Sequence, residues 1–190
     1  KTKIGRKNIG VLVFVTQKPD FRVPSTAYAL HSRLGLSDNC LCFDINLACS
    51  GFVYGLSVLA SLLKHSDCEY GLLLVGDTSS RTISPHDNTM IMLFGDCGSA
   101  CLLEKNGGSS ERMSFAFRSD GVRSNAIFTP AGGYEQMLGK GQRYLSTDSV
   151  PRSDYEVRMN GMDVFGFSIT DVPDLIAEYL KSIDKSVDEY

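Results

Sequence analysis

An α/β fold built on a mixed, mostly parallel sheet is predicted by three features of this sequence. Residues Ile9-Gly10-Val11-Leu12-Val13-Phe14-Val15 form a near-continuous apolar run, the pattern of a strand covered on both faces. Between Ser50 and Lys64 the residues Phe52, Val53, Leu56, Leu59, Ala60 and Leu63 recur at three- and four-residue intervals, which marks a mostly buried helix. Strand-like and helix-like stretches alternate as β, α, β, α, β, β as far as Leu103, an order that calls for layered packing.

The elements follow in order. Ile9 to Val15 is the central strand, and a turn at Lys18-Pro19-Asp20 leads into a helix over Ala27 to Leu34, capped by Ser25 or Thr26 and ended by Gly35. Cys40 to Leu47 is a second strand, Ser50 to Lys64 the buried helix, and Gly71 to Val75 a third strand. A polar loop from Asp77 to Asn88 precedes the mixed segment Met90 to Phe94, and Ser99 to Leu103 is a further strand. Met113 to Arg118 has strand character, Pro130-Ala131-Gly132-Gly133 is a turn, and Tyr134 to Ser153 is a polar surface excursion. Val164 to Leu180 reads as one helix despite Pro173. The character changes after Lys105, which divides the chain into 1–105, carrying the cysteine-bearing half, and 106–190, a less regular and incomplete second part.

Composition narrows the function. With 43% hydrophobic residues the chain can bury a core, and a net charge of -3 with scattered Lys and Arg gives no face for nucleic acid or an anionic membrane. No run approaches the roughly 18 apolar residues of a membrane span, and Lys1-Thr2-Lys3-Ile4-Gly5 lacks a secretory core, so the expected location is the cytoplasm. The six cysteines lie mostly in apolar segments of a chain too large to need staples, which implies reduced thiols. Cys40-x-Cys42 and Cys97-x3-Cys101 match no common zinc spacing, so no metal is expected.

Phe43 to Phe52 is the most informative string, because it sets one cysteine, Cys49, where a buried strand hands over to a buried helix. The positive end of a helix dipole favours an anion, so a thiol placed there is biased toward the nucleophilic thiolate. Ala48, Ser50 and Gly51 are small enough to admit a substrate carbonyl, and the Cys49 amide is in place to hold the oxyanion that thioester attack creates. On spacing alone an inert packed cysteine is the competing reading, and Cys40, Cys42, Cys68, Cys97 and Cys101 keep it.

Ala48-Cys49-Ser50-Gly51-Phe52-Val53-Tyr54-Gly55-Leu56 resembles the active-cysteine motif of β-ketoacyl-acyl-carrier-protein synthase III, a thiolase-fold condensing enzyme. The likeness continues in order through Pro19-Asp20, Pro24-Ser25-Thr26, Phe94-Gly95-Asp96-Cys97-Gly98-Ser99-Ala100, Ser119-Asp120-Gly121, Pro130 to Gly133, and Met159-Asn160-Gly161 to Phe165. It implies a thiolase-like layered fold, in which this chain supplies the N-terminal half and the start of the second. The implied chemistry moves a primer acyl group from coenzyme A onto Cys49. Decarboxylated malonyl-acyl carrier protein then attacks that thioester, in ping-pong fashion, to initiate fatty acid synthesis. Coenzyme A thioester and carrier protein are substrates in this scheme, no cofactor is required, and the protein is expected to be a homodimer.

The resemblance also assigns surrounding residues. Val23 matches a position reaching across the dimer into the partner's acyl pocket, Met92 and Phe94 lie near that pocket, and Asn160 and Gly161 approach the pantetheine arm. Plain core packing is the alternative for Val23, Met92 and Phe94, and a common turn for Asn160-Gly161. The decarboxylating histidine and asparagine are implied beyond Tyr190, so His31, His65 and His86 read as structural or solvated, and this chain alone is not expected to complete a condensation. One departure is Asn88, where the family often carries an arginine for the coenzyme A adenine. Other readings are a polyketide-type or hydroxymethylglutaryl-CoA synthase-like acyltransferase, and a non-catalytic condensing-enzyme relative, which retention of Cys49 disfavours.

Overall fold

A computed structural model describes residues 4–105, 113–145 and 147–189. The chain divides into two compact units, one formed by residues 1–79 with 95–115 and the other by 80–94 with 116–190. The boundary expected after Lys105 opens a segment, 106–112, that lies outside the described residues, as do Lys1 to Lys3. Packing instead assigns 80–94 to the second unit.

The first unit is a four-stranded sheet in the order β2-β1-β3-β4. Its strands are β1 (Ile9–Val15), β2 (Leu41–Ile45), β3 (Tyr70–Thr78) and β4 (Asp96–Glu104), and its helices are α1 (Thr26–Leu34) and α2 (Gly51–Lys64). β1 pairs in parallel with β2, Val13 facing Phe43, and with β3, Val13 facing Leu73. β4 returns antiparallel to β3, so the sheet is mixed and mostly parallel, as the sequence predicts.

The alternation of side chains along β1 explains the layering. Val11, Val13 and Val15 point to the face packed with Leu59, Leu63, Leu73 and Leu103, while Leu12 points to the opposite face with Ala27, Leu36, Cys40 and Cys42. α1 connects β1 to β2 on one face and α2 connects β2 to β3 on the other. Fully buried Leu12, Leu59 and Leu73 each contribute on the order of 1.5–3 kcal/mol by leaving water.

α2 approaches the sheet closely because two of its inward positions are glycine. A Cβ added at Gly55 would lie 2.7 Å from Leu73 Cδ1 and 2.9 Å from Val15 Cγ2. The face of α2 that packs inward is Gly51, Gly55, Leu59 and Leu63; Phe52 and Val53, expected to be buried, are exposed. Apolar residues lie on more than one side of this helix, so periodicity alone does not select the inward face. α1 is not capped by Ser25. Its first amides are bound from β2, where the Asp44 carboxylate accepts from Thr26 N at 2.7 Å and Ala27 N at 2.8 Å. Gly35 ends the helix with φ of 64°, where a side chain would be strained.

The second unit holds short ladders, β5 (Ile127–Phe128) with β8 (Arg158–Met159) and β6 (Tyr144–Leu145) with β7 (Pro151–Arg152), and the helices α3 (Asn88–Ile91), α4 (Gly161–Ile169) and α5 (Asp171–Ser182). The single helix expected over Val164 to Leu180 is two helices meeting at Thr170, and Pro173 is tolerated as the third residue of α5, in a first turn whose amides need no intrahelical acceptor. Met113 to Arg118 is not a strand; its alternating Met113 and Phe117 are exposed, and among the described residues it joins no sheet. The surface excursion stops short of its expected end, because Arg152 and Ser153 are buried, followed by Asp154 and Glu156.

Charge pairing explains that burial. Arg152 donates through Nε and Nη2 to Asp87 Oδ2 and through Nη1 to Asp148 at 2.7 and 2.9 Å. Ser84 Oγ donates to the Pro151 carbonyl at 2.6 Å and Val157 N to the Thr82 carbonyl at 2.7 Å, so 80–94 is bound to the β7 region by side chain and backbone together. Burial alone would raise the Asp87 carboxyl, but hydrogen bonds from Thr89 and Arg152 and the charge of Arg152 hold it below its ordinary value.

Two outcomes follow. Gly55→Val forces Leu73 and Val15 aside and lowers stability by roughly 1–3 kcal/mol, read as a lower denaturant midpoint. Because the Asp87 carboxyl is depressed on folding, its contribution is complete above the unfolded value of about 4 and is lost as pH falls through the folded value. Calorimetry of the unsubstituted chain therefore shows a melting temperature that drops below about pH 4, and Asp87→Asn flattens this acid limb while costing roughly 3 kcal/mol at neutral pH. An unchanged acid limb in Asp87→Asn would assign the dependence to other carboxylates.

Candidate active site around Cys49

The chain leaves the carboxyl ends of β1 and β2 for α1 and α2 on opposite faces of the sheet, and in open α/β sheets such a reversal at the strand ends forms the crevice used for ligands. Here β2 ends at Ile45, whose carbonyl accepts from Leu47 N and Thr16 N, both at 3.1 Å. The chain then turns through Ala48 and Cys49, with Gly51 N bonded to the Ala48 carbonyl at 2.8 Å, and enters α2 at Ser50. Cys49 is exposed. No side chain of Ser50 caps α2, so the helix presents its positive end without a competing oxygen from that residue.

Beside this turn lies a cavity of about 220 Å³ lined by Val15, Leu47, Ala48, Val75, Asp77 and Cys97, among others. Its floor is tied together by Asp77, the residue after Gly76 in β3. Asp77 Oδ1 accepts from Thr16 Oγ1 at 2.6 Å and from the amides of Gln17 at 2.9 Å and Lys18 at 3.1 Å. Burial lowers the Lys18 ammonium, opposed by the charge of Asp77. Asp77 and Asp44 thus fix both ends of the loop from Thr16 to Ser25 against the strands that flank Cys49.

The other thiols are differently placed. Burial pushes the Cys40 thiol up to about 11, with Cys42 and Cys68 adding to the effect, and burial followed by the charge of Asp44 raises Cys42. Cys97 is exposed on β4 at the same end of the sheet as Cys49. His31 Nε2 is bonded to the Ser37 carbonyl at 2.9 Å and His65 Nδ1 to the Ser61 carbonyl at 2.8 Å, which engages both imidazoles in helix-end contacts.

Of the residues expected around the nucleophile, Val23 lies on the loop held by Asp44 and Asp77, preceding a cis peptide to Pro24. It is 81% exposed, and so is Met92 at the end of α3; Phe94 is half-buried. Asn160 caps α4, its Oδ1 accepting from Met162 N at 3.2 Å and Asp163 N at 3.4 Å, and Gly161 is exposed with open space around it. Val23 shares the first unit with Cys49, whereas Met92, Phe94, Asn160 and Gly161 belong to the second. Sequence reasoning passed over Asp44, Asp77 and Thr16. An aspartate inside the apolar run Cys42 to Leu47 was the available signal, since a carboxylate in such a strand needs donors close by.

Residues 43–121 match the family model described as 3-Oxoacyl-[acyl-carrier-protein (ACP)] synthase III. A beta-ketoacyl-[acyl-carrier-protein] synthase III of Natranaerobius thermophilus is 29% identical over 100% of this chain and 56% of its own length. Its counterpart from Pseudomonas aeruginosa is 33% identical over 94% of this chain and 51% of its own. Among solved structures, a 3-oxoacyl-(acyl-carrier-protein) synthase III superposes with a TM-score of 0.91 at 30% identity, covering 97% of this chain and 56% of that one. The 3-oxoacyl-(acyl-carrier protein) synthase of Burkholderia xenovorans gives 0.77 at 31%, covering 97% and 52%. The chain spans about half the length of the curated relatives it matches. The motif around Cys49, the sheet that carries it and these relatives agree: over nearly its whole length the chain is similar to 3-oxoacyl-[acyl-carrier-protein] synthase III proteins of the thiolase fold.

Proposed function

We propose that Cys49 is the acyl-accepting nucleophile of a decarboxylating condensing enzyme, a β-ketoacyl-acyl-carrier-protein synthase III. The observation that carries the reading is an exposed thiol in the turn that opens the uncapped α2, at the carboxyl ends of parallel strands and next to a cavity lined by Leu47 and Ala48. Its likeness to 3-oxoacyl-[acyl-carrier-protein] synthase III proteins supports the reaction type.

In the first half-reaction the Cys49 thiolate attacks the carbonyl carbon of an acyl thioester. The carbonyl π electrons move to oxygen, where the Cys49 amide is proposed to stabilise the oxyanion. Collapse expels the coenzyme A thiolate, which takes a proton from solvent, and leaves the acyl group on Cys49. In the second, malonyl-acyl carrier protein loses carbon dioxide, and the resulting carbanion attacks the acyl-Cys49 carbonyl, releasing the cysteine as β-ketoacyl product forms. Val23, Met92 and Phe94 are proposed as acyl-chain contacts and Asn160 with Gly161 as pantetheine contacts; homodimerisation and a cytoplasmic location belong to the same proposal. No helix of the described residues is long and apolar enough to cross a membrane.

Asn88 supports a second donor. It is exposed at the first position of α3, where the family often carries an arginine for the coenzyme A adenine, so an acyl-carrier-protein thioester is a competing source of the primer.

Intact-mass spectrometry separates these readings. Incubation with acyl-CoA thioesters is expected to give a single acyl adduct that falls at least about 100-fold in Cys49→Ala, the loss expected when the attacking atom is removed. An adduct that persists in Cys49→Ala overturns the assignment, and an adduct formed only from acyl-carrier protein selects the second donor. Alkylation at neutral pH is expected to mark Cys49 and Cys97 at least about tenfold faster than Cys40 and Cys42, because those two thiols are buried and raised.

A further inference from the structure

We infer that Arg152 is a positioning residue for primer selection, acting through Asp87 on the segment that ends in Met92 and Phe94. The inference rests on the proposed acyl-chain role of those two residues.

The segment has little means of holding its own shape. α3 has four residues, fewer than a helix needs to persist by itself, and the two residues after it in sequence, Met92 and Leu93, are 81% and 68% exposed. Its fixed points are Met90, 1% exposed, Asp87, also 1% exposed, and upstream of them Ser84, held through its hydroxyl to the Pro151 carbonyl. Met90 passes its position forward through its carbonyl, which accepts from Leu93 N at 2.9 Å and Phe94 N at 3.2 Å. Asp87 divides its carboxylate between two tasks. Oδ1 accepts from Thr89 N at 3.1 Å, Thr89 Oγ1 at 2.6 Å and Met90 N at 3.2 Å, while Oδ2 accepts both Nε and Nη2 of Arg152.

A planar guanidinium held on one edge by Asp87 and at Nη1 by Asp148 sets the rotation of the Asp87 carboxylate, and that rotation sets where the helix amides must lie. Lysine keeps the charge but loses the fork, so the carboxylate is free to turn. Arg152 touches no proposed substrate atom; the segment it orients carries the exposed Met92.

The test compares second-order rates of Cys49 acylation by acetyl-, butyryl- and octanoyl-coenzyme A, read by intact mass, in the unsubstituted chain and in Arg152→Lys. The octanoyl-to-acetyl rate ratio is expected to change by at least about fivefold, within the range that one or two methylenes of pocket fit command, with the acetyl rate altered less than the ratio. In a double substitution with Met92→Ala the two effects on the ratio are expected to be non-additive, because one acts through the other. Global destabilisation lowers all rates together and leaves the ratio in place. Should Arg152→Lys fail to fold, Asp148→Asn at a half-exposed carboxylate loosens the Nη1 side and is expected to move the ratio in a single direction by a smaller factor. An unchanged ratio in a folded variant that still forms the Cys49 adduct overturns the positioning role and spares the nucleophile assignment. Absence of a Cys49 adduct in the unsubstituted chain from acyl-coenzyme A and from acyl-acyl carrier protein alike overturns both.

Discussion

Because β1 has no solvent face, the first unit must place a layer on each side of it, and every connection in that unit follows from this requirement. Val11, Leu12, Val13 and Val15 are almost entirely removed from water, and a strand buried on both faces is stable only between two covered surfaces. α1 covers one and α2 the other. The helix that supplies the second cover starts just after Cys49, so the element that completes the core also fixes that exposed thiol at the carboxyl end of the sheet. Hydrophobic layering and site placement are therefore one constraint in this unit.

Polar anchors then determine what the apolar core leaves free. Three aspartates each accept backbone amides across a chain reversal: Asp44 for the start of α1, Asp77 for the turn after β1, and Asp87 for the start of α3. Each replaces solvent for amide groups that would otherwise be costly to withdraw from it. Asp87 differs in having a buried cation on its other oxygen, so that removing either partner leaves an uncompensated buried charge.

Much of the first unit was legible in the sequence because its signals are local. The apolar run Ile9 to Val15 coincides with β1, Gly35 stops α1, and the spacing from Ser50 to Lys64 coincides with α2 to within a residue. Direction and partnership were less legible. Nothing in Ser99 to Leu103 specifies that β4 runs antiparallel, since pleat alternation is the same in either sense. The exposed side of α2 at Phe52 and Val53 was misjudged because a helix apolar on several sides gives no inward direction. The second unit was hardest to read: Asp87 and Arg152 lie 65 residues apart, and no local pattern announces a pairing of that range. Cys49 stood out from its junction and its neighbours, whereas Asp44 and Asp77, which brace the loop beside it, looked like ordinary polar interruptions.

The glycines of α2 give the turn at Cys49 an unusual kind of reference frame. At Gly51 and Gly55 the helix backbone meets Val15 and Leu73 with no side chain of its own between, so no rotamer on the helix side can lengthen or shorten that contact. The distance from sheet to helix is consequently set from the sheet side alone, by the Val15 and Leu73 side chains against a helix surface that has no conformers to exchange. Random substitution in this stretch should be tolerated on the outer positions and refused on the inner pair, a mutational asymmetry of one helix that follows from its geometry before any chemistry at the thiol is considered.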